Sequence, residues 1–575
     1  MFESLSHIQR TIVFEKKGLF AVKACPGSGK TYTTAARLAH KLNNWQLSTR
    51  GIAVLSFTNV AWHEIRKMLD QNLGMTINFP HHLGTLDSFI NKFIFLPFGH
   101  LIMGCGKRPI LVGEPHGTWS AGNYDYDYDY DQYFDCTSFS INDGVIPTTA
   151  DFKRFHFKWR NKDGSESGHV NRLRETKMKY WKQGYATQAD ANYFSLKILE
   201  KYPNIAQSIA MRFPELIIDE AQDTSEIQMG IINKLIDNGL KNVMLVGDPD
   251  QAIFEWNDAR PDLFIDKFNE WGKNSVVLDE NRRSSQNICN VTYNLTSRDN
   301  PPVAVNETVK NYGHIPEVIC YKPECIQQTI DYFLHLCEQH QIEISHEKVA
   351  VIFRSKSIQS QILSQPERIE HPWLVGRYYV RDIAKSKYMA EKGRILDAFK
   401  LAEKAIYKGL HNKNYCSAND LNNWILERGF VHHRQNIMHI LRCLPSPTGS
   451  IIEWVKQASD ILRCHNMPIK MNLKPNCVDC SFDELFRITE DCSERFRIGT
   501  VHTVKGETFD AVLLILKERG AKGGYYRTML SQGLKTLDDE ELRIAYVGMT
   551  RPSKLLVIAV PSEKSRTVWE LKLLN

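Results

Sequence analysis

The chain of 575 residues contains no apolar run long enough to span a membrane. Its opening residues, MFESLSHIQR, lack the apolar core of a secretory leader. Both absences argue against a membrane-embedded or exported protein and predict a cytoplasmic one. Thirteen cysteines are present, but they are scattered without the spacing of a disulfide framework, which fits a reducing compartment. Strong charge of one sign is also missing. A net charge of +6 permits an anionic partner without requiring one. What remains is an ordinary soluble composition, 42% hydrophobic and 24% charged, in a chain long enough for several domains.

The most informative stretch is Leu19 to Thr31, LFAVKACPGSGKT. It reads as a buried strand, a tight glycine-containing loop and the start of a helix. The loop Ala24-Cys25-Pro26-Gly27-Ser28-Gly29-Lys30-Thr31 fits G-x-x-x-x-G-K-[ST] with alanine in the first position. Gly27 and Gly29 let backbone N–H groups approach a phosphate, and the helix that begins near Lys30 and continues through Tyr32 adds its positive end. Lys30 is suited to the β/γ-phosphate oxygens and the Thr31 hydroxyl to Mg²⁺. Upstream, Gln9 carries an amide able to read an adenine edge.

Alternating strand and helix signals follow. GIAVLSF (51–57) ends at Thr58-Asn59 and precedes a helical pattern, and a further junction, LGTLDSF, lies at 83–89. LIIDEAQDT (216–224) ends a strand in two adjacent carboxylates. Asp219 is placed to complete a metal shell, and Glu220 to orient and deprotonate a water. VMLVGDPDQAIFEW (243–256) repeats the design. Gln251 is there a candidate γ-phosphate sensor, and Phe254 and Trp256 are candidates for stacking on bases or for core packing. A second series runs through VVLDENRRSS (276–285), VAVIFR (349–354), the stretch 497–516 and EELRIAYVGMTRPSKLLVIAV (540–560). The expected fold is therefore α/β, with two parallel-sheet units flanked by helices.

Two stretches interrupt this pattern. Between about 97 and 203 lies the tract YDYDYDYD (124–131), which has no core-forming period. The segment from Lys153 to Lys182 carries ten Lys/Arg against three acids, interleaved with Phe155, Phe157, Trp159, Tyr180 and Trp181. It reads equally as a nucleic-acid track or as a solvated helical face. The second interruption, about 376 to 489, is mostly helical in period. In and just after it lie Cys464-His465, Cys477-x-x-Cys480 and Cys492. Zinc knuckles use C-x₂-C pairs, but only one close pair occurs, so ordinary thiols are expected here.

In this order the blocks ACPGSGKT, LSFTN, LGTLDSF, IIDEAQDTSEIQ, LVGDPDQAIFEW, LDENRRSS, GTVHTVKGETFD and EELRIAYVGMTR closely resemble the superfamily 1A DNA helicases of the UvrD/Rep/PcrA kind. The resemblance implies two RecA-like motor domains, 1A (1–96 and 200–280) and 2A (281–375 and 490–575). Each carries a mainly helical insertion, 1B (97–199) or 2B (376–489). It implies ATP and Mg²⁺ as cofactors and single-stranded or partly duplex DNA as partner, with 3′→5′ unwinding. The implied nucleotide set is Gln9, Ala24, Pro26, Gly27, Ser28, Gly29, Lys30, Thr31, Tyr32, Arg282, Arg283, Gly506, Glu507 and Arg551. Thr31 and Asp219 hold the metal. The resemblance also implies that Glu220 is the base, that Lys30 and Gln251 serve the γ-phosphate, and that Arg283 and Arg551 are arginine fingers. Phe57, Thr58, Asn59, Thr85, Phe254, Trp256 and His502 are the implied DNA contacts.

Three departures stand out. Arg282 occupies the place of a tyrosine that stacks on adenine. KGETF (505–509) replaces KGLEF and moves the acid to Glu507. The second insertion is short for the family. With the last block near Asn575, no fused nuclease is expected. In size and motif style the chain resembles the helicase-like subunit of Gabija-type anti-phage systems, which implies a partner nuclease of the OLD type. Two functions stay open: a DNA motor in repair or anti-phage defence, and an ATP- and DNA-sensing subunit that switches a nuclease while unwinding little.

Overall fold

The computed structural model describes residues 2–57, 59–111, 165, 181–186, 188–253, 259–322, 325–354, 358, 362, 372–374, 378–413, 416, 418–477, 479–486, 495–518 and 525–574. Thr58, Phe254, Trp256, the Tyr-Asp tract, Cys492 and nearly all of the basic aromatic segment lie outside them. The chain divides into two compact units. One comprises 1–102, 192–367 and 492–575, and the other 103–191 and 368–491. Among the described residues no helix is long and apolar enough to cross a membrane.

The first unit holds two large parallel sheets and a small pairing of Glu280–Asn281 with Val303–Ala304. Strands β1 (Leu19–Ala24), β2 (Ile52–Ser56), β3 (His82–Thr85), β4 (Glu215–Asp219), β5 (Asn242–Gly247) and β6 (Val276–Leu278) form a sheet in the order β3-β2-β4-β5-β1-β6. All are parallel, with registers such as Phe20↔Met244 and Leu55↔Ile218. β2 and β4 are buried at every position, which is why they read as continuous apolar runs rather than alternating ones. Because the strands run one way, every strand-to-helix loop that carries a motif emerges at the same, carboxyl, edge.

The second sheet contains β7 (Glu317–Cys320), β8 (Val349–Phe353), β9 (Arg497–Thr500), β10 (Phe509–Ile515) and β11 (Pro552–Val560), ordered β7-β11-β10-β8-β9. The chain leaves this sheet after β8 and returns at β9, which pairs beside it in the register Ala350↔Arg497. The long excursion thus costs the sheet no continuity. The helix Glu540–Met549 packs against this sheet and is buried along its whole length.

One place where the two sheets meet is the segment 248–253. Arg298 donates to Asp248 (2.7 Å), to Asp250 (2.9 Å) and to the Ala24 carbonyl (2.7 Å). The Thr536 hydroxyl reaches the second Asp250 oxygen at 2.6 Å, and Arg543 donates to the Ala252 carbonyl at 2.6 Å. Asp248 and Asp250 are almost fully buried, so each carboxylate depends on these donors.

In the second unit, α-helices Tyr379–Glu391, Ile395–His411, Ala418–Arg428, Phe430–Cys443 and Ile451–Cys464 surround Trp373, Trp424, Trp454, Phe482 and Phe486. A buried His433–Glu403 pair at 2.7 Å and Lys387, which donates to the Leu441 carbonyl, satisfy polar groups inside.

Removing Arg298 should leave two carboxylates stranded in the interior. Arg298→Ala is expected to cost about 3–5 kcal/mol of the motor unit's unfolding free energy in a denaturant titration. A loss below about 1 kcal/mol would show that the seam is held by other contacts.

Candidate functional site

The loop after β1 is shaped by its glycines. Gly27 and Gly29 sit at φ +70° and +77°, a region that favours glycine. A Cβ on Gly27 would lie 2.6 Å from the Arg283 Cβ and 2.7 Å from Asn281 Oδ1. The loop is thereby pressed against the segment that leads into the second sheet. Arg282 donates its backbone N–H to the Gly27 carbonyl at 2.8 Å, and Cys25 donates to the Leu278 carbonyl at 2.9 Å. Burial pushes the Cys25 thiol up to about 12, so this cysteine acts as a packing group.

Around this loop lies a cavity of about 380 Å³. Gly27–Tyr32, Glu220, Asp223, Gln251, Arg283, His502, Lys505, Gly506 and Arg551 are among the residues lining it. Its walls come from both sheets. Thr31 donates its hydroxyl to Asp219 Oδ2 at 3.4 Å, which puts the two metal-ligand candidates side by side. Asp219 is fully buried at the end of β4. Burial and the neighbouring Glu220 charge raise its carboxyl to about 7, against the pull of Lys30. Glu220 goes the other way. Burial pushes it up, but Lys30, Lys505, the Gln222 amide and Arg551 together hold it below the usual carboxylate range.

Glu220 adopts a left-handed conformation at φ 55°, ψ 41°. That backbone costs a non-glycine residue about 1–3 kcal/mol. It ends the run of strand β4 and sets the Glu220 carboxylate beside Gln222. The Gln222 side chain holds it there. Its Nε2 donates to Glu220 Oε2, and its Oε1 accepts from the Asp248 N–H at 3.0 Å.

The two arginines reach the cavity from positions far apart in sequence. Arg283 donates to the Thr550 carbonyl at 3.1 Å, and Arg551 donates to the Val547 carbonyl at 2.9 Å. Ser284 and Ser285 bind the backbone at Pro552 and Ser553, which ties both segments together. Burial lowers Arg283 to about 10. Burial, with Arg283 beside it, lowers Arg551 to about 9. Cationic groups kept partly desolvated next to each other favour an anion between them. Among the described residues, the Gln251 Nε2 and the Ser28 hydroxyl are buried without a partner, and both residues line the same cavity. The donor set, the glycine cradle and these open donors fit a nucleoside triphosphate with its divalent ion.

The remaining candidates are distributed differently. Gln9 is buried beside the loop. Its Nε2 donates to the Ser28 carbonyl and the Thr33 hydroxyl, while its Oε1 accepts from the Ser6 N–H in a capping box. Ala24 and Pro26 are buried and shape the loop without lining the cavity; Ala24 presents its carbonyl to Arg298. Tyr32 lines the cavity and hydrogen-bonds Ser4 at 2.6 Å. Arg282 pairs with Glu280 at 3.4 Å beside Gly29 and stays outside the cavity lining. Gly506, at φ +98°, lines the cavity, but Glu507 does not. Its carboxylate turns to Arg497 at 3.6 Å, because the shifted acid sits one residue past the turn. His502 also lines the cavity and contacts the Ile253 carbonyl at 3.2 Å. Phe57 and Thr85 follow or end neighbouring strands β2 and β3 at the carboxyl edge, where Thr85 caps the next helix through the Ser88 N–H. Asn59 opens the helix after β2.

Sequence reasoning missed Gln222, Arg298 and Lys505. Lys505 donates to Asp223 at 2.8 Å and to the Gln251 carbonyl at 3.1 Å, which links the second sheet's loop to the γ-phosphate candidate. Its position within the KGETF block was the available signal. Gln222 lies within the IIDEAQDTSEIQ block, but its bond to Asp248 spans 26 positions, and Arg298 had no signal, since its partners lie about 50 positions away or more.

The chain matches the model of the UvrD/REP helicase N-terminal domain over residues 5–100 and 147–271. It matches the model of the UvrD-like helicase C-terminal domain over 477–563. Together these matches span more than half of the chain. Among curated proteins it is similar to the DNA helicase II of Haemophilus influenzae, with 24% identity over 321 residues, 53% of this chain and 42% of that protein. It is also similar to an ATP-dependent helicase/nuclease subunit of Streptococcus pneumoniae serotype 2, with 35% identity over 115 residues, 19% of this chain and 9% of that protein. The Lactobacillus johnsonii protein described in the same words is 35% identical over 132 residues, 22% and 11% respectively. The matched stretches thus cover less than half the length of each relative.

The glycine cradle gives a direct test. Gly27→Ala places a Cβ against Arg283 and Asn281 in a backbone region that alanine resists. Binding of a fluorescent ATP analogue is expected to weaken about 10- to 100-fold, corresponding to about 1–3 kcal/mol of strain. Unchanged affinity would show that the loop does not close on the phosphates.

Proposed function

Because this chain belongs to the UvrD/Rep helicase family, we propose that it is an ATP-driven motor that moves 3′→5′ along single-stranded DNA and separates duplex ahead of it. The single observation that carries this reading is one cavity walled by Lys30, Thr31 and Glu220 from the first sheet's loops and by Lys505 and Arg551 from the second's, with Arg283 between them. Bound ATP with Mg²⁺ supplies the bond whose hydrolysis drives the cycle and a cation that offsets phosphate charge. Lys30 and the loop N–H groups bind the phosphates, and Thr31 and Asp219 hold the ion. Glu220, its carboxylate kept ionised, takes a proton from the attacking water. Gln222 is a positioning residue that fixes the Glu220 rotamer. Arg283 and Arg551 lend charge where negative charge grows in the transition state, so the cleft closes most tightly at that moment. Gln251 and Lys505, on either side of the seam, carry the state of the γ-phosphate to the segment 248–253 and so to the DNA candidates Phe57, Thr85, His502, Phe254 and Trp256.

A second reading has one observation in its favour: two of the relatives carry names that describe them as part of a helicase/nuclease. In that reading the chain partners a nuclease, as in anti-phage defence, and its ATP cycle serves mainly as a switch. A strand-displacement assay on a tailed duplex separates the two. Unwinding by the isolated chain supports the motor. ATP turnover without displacement supports the switch.

Hydrolysis measured with and without oligo(dT) tests the chemistry. DNA stimulation is expected, with losses of about 10²–10⁴-fold for Glu220→Gln and about 10³-fold or more for Arg551→Ala. Gln222→Ala should lower kcat about 10-fold with KM unchanged, since the nucleotide contacts remain. Turnover indifferent to Glu220→Gln would overturn the assignment.

A further inference from the structure

The helical unit brings together three side chains that no role described above uses. His439 and Cys443 stand one turn apart on the helix Phe430–Cys443, so both project from one face. His465 caps the C-terminal end of the helix Ile451–Cys464. Their ligand atoms, two imidazole nitrogens and a thiol sulfur, all lie within 4.8 Å of one another. His439 Nε2 is 3.6 Å from Cys443 Sγ, and the His439 and His465 rings meet edge-on at 5.0 Å.

We propose that His439, Cys443 and His465 form a zinc site that staples the ends of these two helices. Tetrahedral zinc with Zn–N near 2.0–2.1 Å and Zn–S near 2.3 Å sets neighbouring nitrogen and sulfur atoms about 3.5 Å apart, which the His439–Cys443 spacing matches. Two imidazoles and a thiolate are a borderline-soft donor set that favours zinc over magnesium or calcium. The setting adds to this preference. Cys443 closes one helix and His465 caps the other, so two negative helix ends converge on the same point. His439 is exposed and the other two are half-buried, which leaves a fourth position open to water and an entry path for the ion. The cysteine pair singled out by spacing alone, Cys477-x-x-Cys480, takes no part in this cluster.

The test uses the full chain. After desalting, metal analysis of the wild type is expected to find about one zinc per chain. His439→Gln and Cys443→Ser should each weaken zinc binding at least 10-fold, and Cys477→Ser/Cys480→Ser should leave it unchanged. With Co²⁺ substituted, the wild type should show a thiolate-to-cobalt charge-transfer band that Cys443→Ser abolishes. Chelation should lower the wild-type melting temperature and leave that of His439→Gln unmoved. His439 is exposed, so its variant is expected to keep the wild-type far-UV spectrum even where a Cys443 variant does not. A wild type that takes up no zinc, zinc retained by His439→Gln, or zinc lost only with the Cys477/Cys480 pair would each overturn the proposal.

Discussion

Asp248 and Asp250 are carboxylates with almost no access to water, and their partners come from beyond the sheet that carries them. Arg298 answers both, and Thr536 takes the remaining Asp250 oxygen. A buried charge without its partner is strongly unfavourable, so the position of the second sheet follows from satisfying these groups. Much else depends on that constraint. Arg543, His502 and Lys505 all reach backbone carbonyls within 251–253, so this seam helps set the second sheet's loops opposite the Gly27–Gly29 turn.

In and beside the cavity, opposing pressures divide labour among like residues. Asp219 and Glu220 are adjacent carboxylates, yet burial drives one toward the protonated form while surrounding cations keep the other ionised. The backbone at Glu220 is left-handed, whereas Asp219 ends the strand β4. Arg283 and Arg551 are lowered by burial, which the carboxylates near them offset only in part. Their discomfort is greatest with the cavity closed and empty and is relieved by a polyanion. That gives the closed, loaded state a physical reason to be favoured, and it is the kind of two-state bias a motor or a switch needs.

The helical unit follows a different logic. It is held by aromatic packing around Trp424 and Trp454, with interior polar groups such as His433 and Glu403 paired. A metal at the His439–Cys443–His465 cluster would add a local tie at the helix ends, where these three residues are exposed or half-buried.

Sequence alone determined the parts that depend on neighbours in the chain. Buried parallel strands appear as short apolar runs, the phosphate loop as its glycines and lysine, and the strand-end carboxylates as a pair, because each needs only a few consecutive residues. The α/β class and the resemblance to UvrD/Rep helicases rest on such local blocks. Only the tertiary structure decided what long-range packing controls. It joined Arg283 to Thr550, spent the Gln9 amide within its own cap and loop, sent Glu507 to Arg497 and enlisted Gln222, Arg298 and Lys505. It also drew His465 to His439 and Cys443 rather than to Cys477 and Cys480. The reason is common to all of these. A side chain's partner is set by which loops the folded sheets and helices bring face to face, and no spacing along the chain encodes that distance.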